Sequence, residues 1–280
     1  MCMGVMTSFL CQIDGKMFLY LAGAVMLTIH LLAGAALHAQ RWEGGAVAAS
    51  RSDEEVTAVY NSECLLSRAM TVYLCCFAWF CTEYLYFEDV HTFTYDLFAE
   101  RLGFKLVWGC LCFYPHFYCI GVWSMLDLTN PSDDLSRSTS LAIVLLFFVG
   151  WGFTRGANLQ KFWHKCQTTD AQTGVSETLH EYVATHPAGI LVEFASSSLG
   201  WHGLGDTVPG SGGRLLCSGW WGLSRHVNYF GEIIQAVALA LPGYLTTGSL
   251  VPWLYPLYYV VLFVPRQVED DEACEIKCGA

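Results

Sequence analysis

Four residues in the stretch Leu215 to Glu232, LLCSGWWGLSRHVNYFGE, could bind or orient a polar ligand in an apolar setting. Trp221, Arg225, Asn228 and Glu232 are spaced +4, +3 and +4, so they share one face if the stretch is helical. His226 and Tyr229 form a second column beside them. The residues that follow, IIQAVALALPGYL, are almost all apolar. A guanidinium, an amide and a carboxylate at hydrocarbon depth are each costly, so they are expected to face a cavity or a partner. Ser218 and Gly219 suit a helix start whose free N–H groups point at an anion. The competing account is that Arg225 and Glu232, seven residues apart, neutralise each other inside a bundle.

Three other clusters carry charge in useful places. In RGANLQKFWHK, residues 155–165, Lys161 and Lys165 are i,i+4 on one helix face, and Arg155 lies six residues before Lys161. Cations just outside a membrane suit a phosphate or an anionic head group, or simply snorkel to the interface. In PRQVEDDEACEIKCGA, Arg266 and Asp270 are i,i+4, and Cys274 and Lys277 continue that face. Asp96 and Glu100, four apart, precede an apolar run; they are candidate acids or an ordinary acidic first turn.

Other combinations carry little. His202, Asp206 and Ser196 to Ser198 lie in a Gly-rich stretch with no GxSxG elbow. GSGG at 210–213 follows no predicted strand and lacks the spacing of a phosphate cradle. The 13 cysteines sit mostly in apolar runs, among them Cys75, Cys76, Cys81, Cys110, Cys112 and Cys119, without zinc spacing, so no metal site is expected.

The elements that must position these groups are membrane helices. Of 280 residues, 54% are hydrophobic and only 14% charged, against about 25% charged in soluble domains. Mean hydropathy is +0.39. A net charge of −11 argues against nucleic acid as a partner. The predicted architecture is all-α and polytopic, with six candidate spans: Met17 to Leu37, Leu65 to Phe87, Gly103 to Met125, Leu141 to Phe153, Trp220 to Leu245 and Leu250 to Val264. The first is too long for a signal h-region. Three regions follow: 1–165 with the early spans, 166–214 as a Gly/Ser-rich connection, and 215–280 as the C-terminal region.

The wording of these segments resembles the sterol reductases that act on Δ14, Δ7 or Δ24(28) double bonds. Leu215 to Glu232 is similar to their signature LLxSGWWGxxRHxNYxGD/E, with Glu232 for the commoner Asp. RGANLQK resembles the segment that holds the phosphate of their nicotinamide cofactor; Lys165 stands where Arg is usual, and the wording is nearest the Δ14 enzymes. Residues 95–123 resemble the central block DxxxDGFGFMLxFGDLVWVPFxYSLQ, with Asp96 and Glu100 on its two acids, Cys110 for an Asp and Gly121 for Gln. The C-terminal stretch resembles HRxxRDExxCxxKYG, with Cys278 for Tyr. The family pattern runs on past both ends, so this chain is expected to hold about six spans of a roughly ten-helix fold, clipped at each end.

The resemblance implies NADPH-dependent reduction of a sterol ring double bond, with C14=C15 favoured, in the endoplasmic reticulum membrane. It implies a cofactor site of Lys161, Lys165, Leu216, Trp221, Asn228, Tyr229, Arg266, Asp270, Cys274 and Lys277. Tyr118, with Asp96 or Glu100 behind it, is the implied proton source. Sterol and lipids are the expected partners. Alternatives are a Δ7 or Δ24(28) reductase, or a truncated paralogue that binds sterol or serves as a scaffold. Isoprenylcysteine methyltransferases and steroid 5α-reductases share an RHPxYxGE-type helix, but Val227 replaces its Pro here.

Overall fold

The computed structural model describes residues 21–43, 66–87, 90, 107–173, 207–210, 213–217 and 219–278; side chains at 163–173, 207–215, 273–274 and 276–278 lie outside that description. In chain order the helices are α1 (Leu21–Glu43), α2 (Arg68–Tyr86), α3 (Tyr114–Phe117), α4 (Ile120–Ser124) and α5 (Arg137–Thr173). Strands β1 (Thr207–Gly210) and β2 (Gly213–Leu216) follow, then α6 (Trp220–Leu223), α7 (Val227–Thr247) and α8 (Leu254–Cys278). The chain forms two compact units, one of Met1–Phe147 with Ala236–Leu257, the other of Phe148–Gln235 with Tyr258–Ala280.

The fold is helical, as composition predicts, with one departure among the described residues. β1 and β2 pair antiparallel in the register Thr207↔Leu216 to Gly210↔Gly213. Among the described residues, two helices, Leu21–Glu43 and Arg137–Phe162, are long and apolar enough to cross a membrane. Both outrun their predicted spans. α5 continues to Thr173 because Gly150 and Gly156 inside it serve close packing rather than ending the helix.

The predicted third span is not one helix. A π-helical turn at Gly109–Phe113 leads into α3, the chain turns at Tyr118 and Cys119, and α4 ends in a 3-10 turn at Met125–Asp127. Pro115 starts α3 in place and cannot donate to the preceding turn. Gly121 leaves the room that the Tyr73 ring occupies, so a Cβ there would overlap the ring. A glutamine at 121, as in the family block, has no space here.

The first unit is pinned by buried polar contacts. Ser67 caps α2, its Oγ accepting from Met70 N at 3.2 Å. The same hydroxyl faces His38 Nε2 at 2.9 Å, while His38 Nδ1 donates to Met125 O at 3.1 Å. That places the His38 proton on Nδ1, since a carbonyl only accepts. Asp134 completes the cap by accepting from Arg68 N at 2.8 Å and Ala69 N at 3.1 Å. A carboxylate at a helix N-terminus is favoured by the orphan N–H groups and the dipole.

Candidate cofactor site

The predicted single helix over Leu215 to Glu232 is broken. β2 ends at Leu216, α6 is one turn, and Ser224 is extended (φ −161°, ψ 151°) before α7 begins at Val227. Gly219, at φ 62°, makes the first break; the serine and two charged or titratable side chains after Leu223 give no apolar surface to carry α6 onward. The +4, +3, +4 stripe therefore does not exist as one face. Arg225 pairs instead with Asp271 on α8, Nη1 to Oδ1 at 2.9 Å. Arg225 is 70% exposed, so this pair contributes about 1 kcal/mol at most.

What replaces the stripe is a contact between two motifs. α6 lies on the 153–161 stretch of α5. Trp220 N donates to Gln160 Oε1 at 2.9 Å, and Trp221 Nε1 donates to Ala157 O at 2.9 Å. Gly156 lets the Trp220 ring approach, since a Cβ there would fall within the indole. Lys161 Nζ sits 5.4 Å from the centroid of the Trp221 ring, within the range of a cation–π contact. The predicted free N–H at the start of α6 is thus not free at Trp220.

α7 crosses α5 through a pair of glycines. A Cβ on Gly231 would come within 2.6 Å of Gly150 O and Thr154 N. Thr154 Oγ1 donates to Asn228 O and accepts from Gln235 Nε2, each at 3.2 Å. The first turn of α7 is thereby fixed to α5.

α7 also meets α8. Tyr229 Oη donates to Asp270 Oδ2 at 3.3 Å. Its ring stacks on Phe263 with centroids 4.3 Å apart and planes at 4°. His226 stacks on the other side at 5.0 Å and 12°. The charges of Arg266 and Glu232 also act on the Tyr229 hydroxyl. His226 Nε2 and Asn228 Oδ1 are buried with no hydrogen-bond partner among the described residues.

Residues 55–280 match the Ergosterol biosynthesis ERG4/ERG24 family. The chain belongs to that family. It is 31% identical over 212 residues to Delta(14)-sterol reductase of Arabidopsis thaliana, covering 76% of this chain and 48% of the relative. It is 32% identical over 196 residues to Delta(14)-sterol reductase TM7SF2 of Mus musculus, covering 70% and 39%. To Delta(14)-sterol reductase erg24 of Schizosaccharomyces pombe it is 29% identical over 214 residues, covering 76% and 43%. The chain spans about half the length of these relatives or less.

Within this ERG4/ERG24 chain, the second unit contains all ten residues expected to hold the cofactor. The structure joins them in pairs: Lys161 with Trp221, and Tyr229 with Asp270. Leu216 closes β2 opposite Thr207. Lys165 lies on α5, and Cys274 and Lys277 on α8, with side chains outside the description. Tyr118 belongs to the first unit, where its ring meets those of Tyr114, Phe77, Phe80 and Tyr255 at centroid distances of 5.3–6.3 Å. Its carbonyl accepts from Tyr73 Oη. Asp96 and Glu100 lie outside the described residues.

Sequence reasoning missed Gln160, Thr154 and the Asp271 partner of Arg225. Gln160 stands inside RGANLQK, so its place in the matched motif was the available signal. Among the described residues no group of three or more His, Cys, Asp or Glu could hold a metal.

Proposed function

We propose that this chain carries out NADPH-dependent reduction of a sterol ring double bond, C14=C15, as a multi-span protein of the endoplasmic reticulum membrane. The observation that carries the reading is the packing of RGANLQK against SGWWG, and of the α7 helix that follows SGWWG against the C-terminal helix, in one compact unit. Membership of the ERG4/ERG24 family supports a sterol as substrate, and the Delta(14) names of its relatives support the choice of bond.

The residues present fit a dinucleotide. Lys161, Lys165, Arg266 and Lys277 would take its phosphates, and three or more separated cations favour a third phosphate, hence NADPH over NADH. Trp221 offers a flat face, and Tyr229 its hydroxyl. Asp270, Asn228, Leu216 and Cys274 would complete the site. Asn228 Oδ1, buried without a hydrogen-bond partner among the described residues, is what a ligand amide or hydroxyl would satisfy, while His226 Nε2 lies 3.8 Å from Asp271 Oδ1. NADPH, when bound, supplies hydride.

The chain's own task is the proton. Addition of one proton and one hydride saturates C14=C15, and protonation of the conjugated diene comes first. Tyr118 is the proposed donor, backed by Asp96 or Glu100 as the source that reprotonates it. The positive charge that forms on the sterol needs a dry setting and nearby π faces. The cluster of Tyr114, Phe77, Phe80 and Tyr255 around Tyr118 is suited to that.

Exposed apolar side chains support the multi-span setting. Leu257, Val261, Val264 and Val268 recur at helical spacing on α8, each more than half exposed. Such a stripe is stable against acyl chains and costly against water. The test is expression in a yeast strain lacking its Δ14 reductase. Clearance of the accumulated 8,14-diene is expected; unchanged diene at normal expression contradicts the proposal.

A further inference from the structure

We propose that Gln160 is a positioning residue that fixes the one-turn helix α6 and so sets Trp221 and Lys161 for the cofactor; the inference rests on the cofactor reading above. A single helical turn does not hold itself, because nucleation costs more than one backbone bond returns. α6 is four residues long, opens with Gly222 N donating to Gly219 O at 3.2 Å, and ends at once at the extended Ser224. Its place must come from outside.

Contacts with α5 supply that place. Several engage side chains of α6: the Trp221 indole donates to Ala157 O, the Trp220 ring packs on Gly156 and meets the Phe153 ring at 5.5 Å, and Lys161 lies over the Trp221 ring. Gln160 holds the α6 backbone, accepting from Trp220 N at 2.9 Å. Its amide also fills the space beside Gly219, where φ of 62° and the contact with Gln160 Nε2 together demand glycine. Gln160 is one residue from Lys161, so one short stretch of α5 grips the α6 backbone and lays its ammonium over the Trp221 ring.

Two isosteric variants separate the hydrogen bond from the bulk. Gln160→Met keeps length and helix propensity but has no oxygen; Gln160→Glu keeps an acceptor. In membranes carrying the full chain, Gln160→Met is expected to raise KM for NADPH about tenfold, the loss of one part-buried hydrogen bond, with kcat within about twofold. Gln160→Glu stays near wild type. Hydrogen–deuterium exchange of the 219–223 peptide in the detergent-solubilised, cofactor-free protein gives a second readout. It is expected to quicken in Gln160→Met and not in Gln160→Glu. An unchanged exchange rate in Gln160→Met, or equal loss in both variants, overturns the inference. An unchanged KM with NADPH-dependent wild type overturns it alone. Wild-type turnover that ignores NADPH overturns the cofactor reading and the inference with it.

Discussion

Tyr229 on α7 donates its hydroxyl to the carboxylate of Asp270 on α8, across 3.3 Å and 41 residues of sequence. Both residues sit on segments proposed here to hold the cofactor, and the bond joins those segments. The tyrosine ring is held by Phe263 on one side and His226 on the other, so only its hydroxyl is left to choose a partner. Such a pair orients a carboxylate without burying it in an apolar core.

Tyr229→Phe isolates this bond, because the stack survives. A hydrogen bond to a charged group contributes about 1.5–3 kcal/mol, and partial exposure of Asp270 puts this one at the low end. NADPH affinity should fall about tenfold, which is what 1.4 kcal/mol corresponds to. Titration of NADPH protection against thermal unfolding measures it. Equal protection of wild type and Tyr229→Phe would remove Tyr229 from the site.

Gly231→Ala should be among the most damaging single changes in the second unit. Its Cβ would meet Gly150 O and Thr154 N at 2.6 Å, and backbone cannot yield cheaply. Overpacking of this kind costs about 1–3 kcal/mol. Gly152→Ala is the control: a Cβ there meets nothing within 4 Å, and alanine improves helix propensity by about 1 kcal/mol. The thermal midpoint should fall for the first and hold or rise for the second. The opposite order would refute the close crossing of α5 and α7.

Asn228→Asp keeps the shape and places a negative charge where a buried amide oxygen now lies. The nearest cations of the stretch are engaged elsewhere, Arg225 with Asp271. A buried carboxylate without a partner is strongly unfavourable, so cofactor binding and diene reduction should both be lost while the protein still accumulates. Leu223→Ala, at a side chain 63% exposed, should be mild. Full activity of Asn228→Asp would make this position structural only.

Helical content and family membership were legible because apolar runs and motif wording are local. How the motif segments join was not. Lys161 and Trp221 lie sixty residues apart, and nothing local to either says that Gly156 and Gln160 form the seat for α6. The stripe drawn through Trp221, Arg225, Asn228 and Glu232 failed because periodicity assumes a continuous helix. Gly219 and the extended Ser224 break it. Here SGWWG was a docking turn rather than the start of a span. The third predicted span failed similarly, where a π-turn, Pro115 and the Gly121–Tyr73 contact divide an apolar run. Apolar composition fixes burial or lipid contact; it does not fix continuity.

The most direct measurement of the account is isotope transfer during turnover. Membranes carrying the chain are supplied with an 8,14-diene sterol and NADPH deuterated at the transferable C4 position, and the product is analysed by mass spectrometry. The account predicts one deuterium in the product, at C14, with solvent deuterium appearing at C15 when the reaction is run in D2O with unlabelled NADPH. Diene that is consumed without label from NADPH, or diene left untouched by a correctly inserted protein, would contradict it.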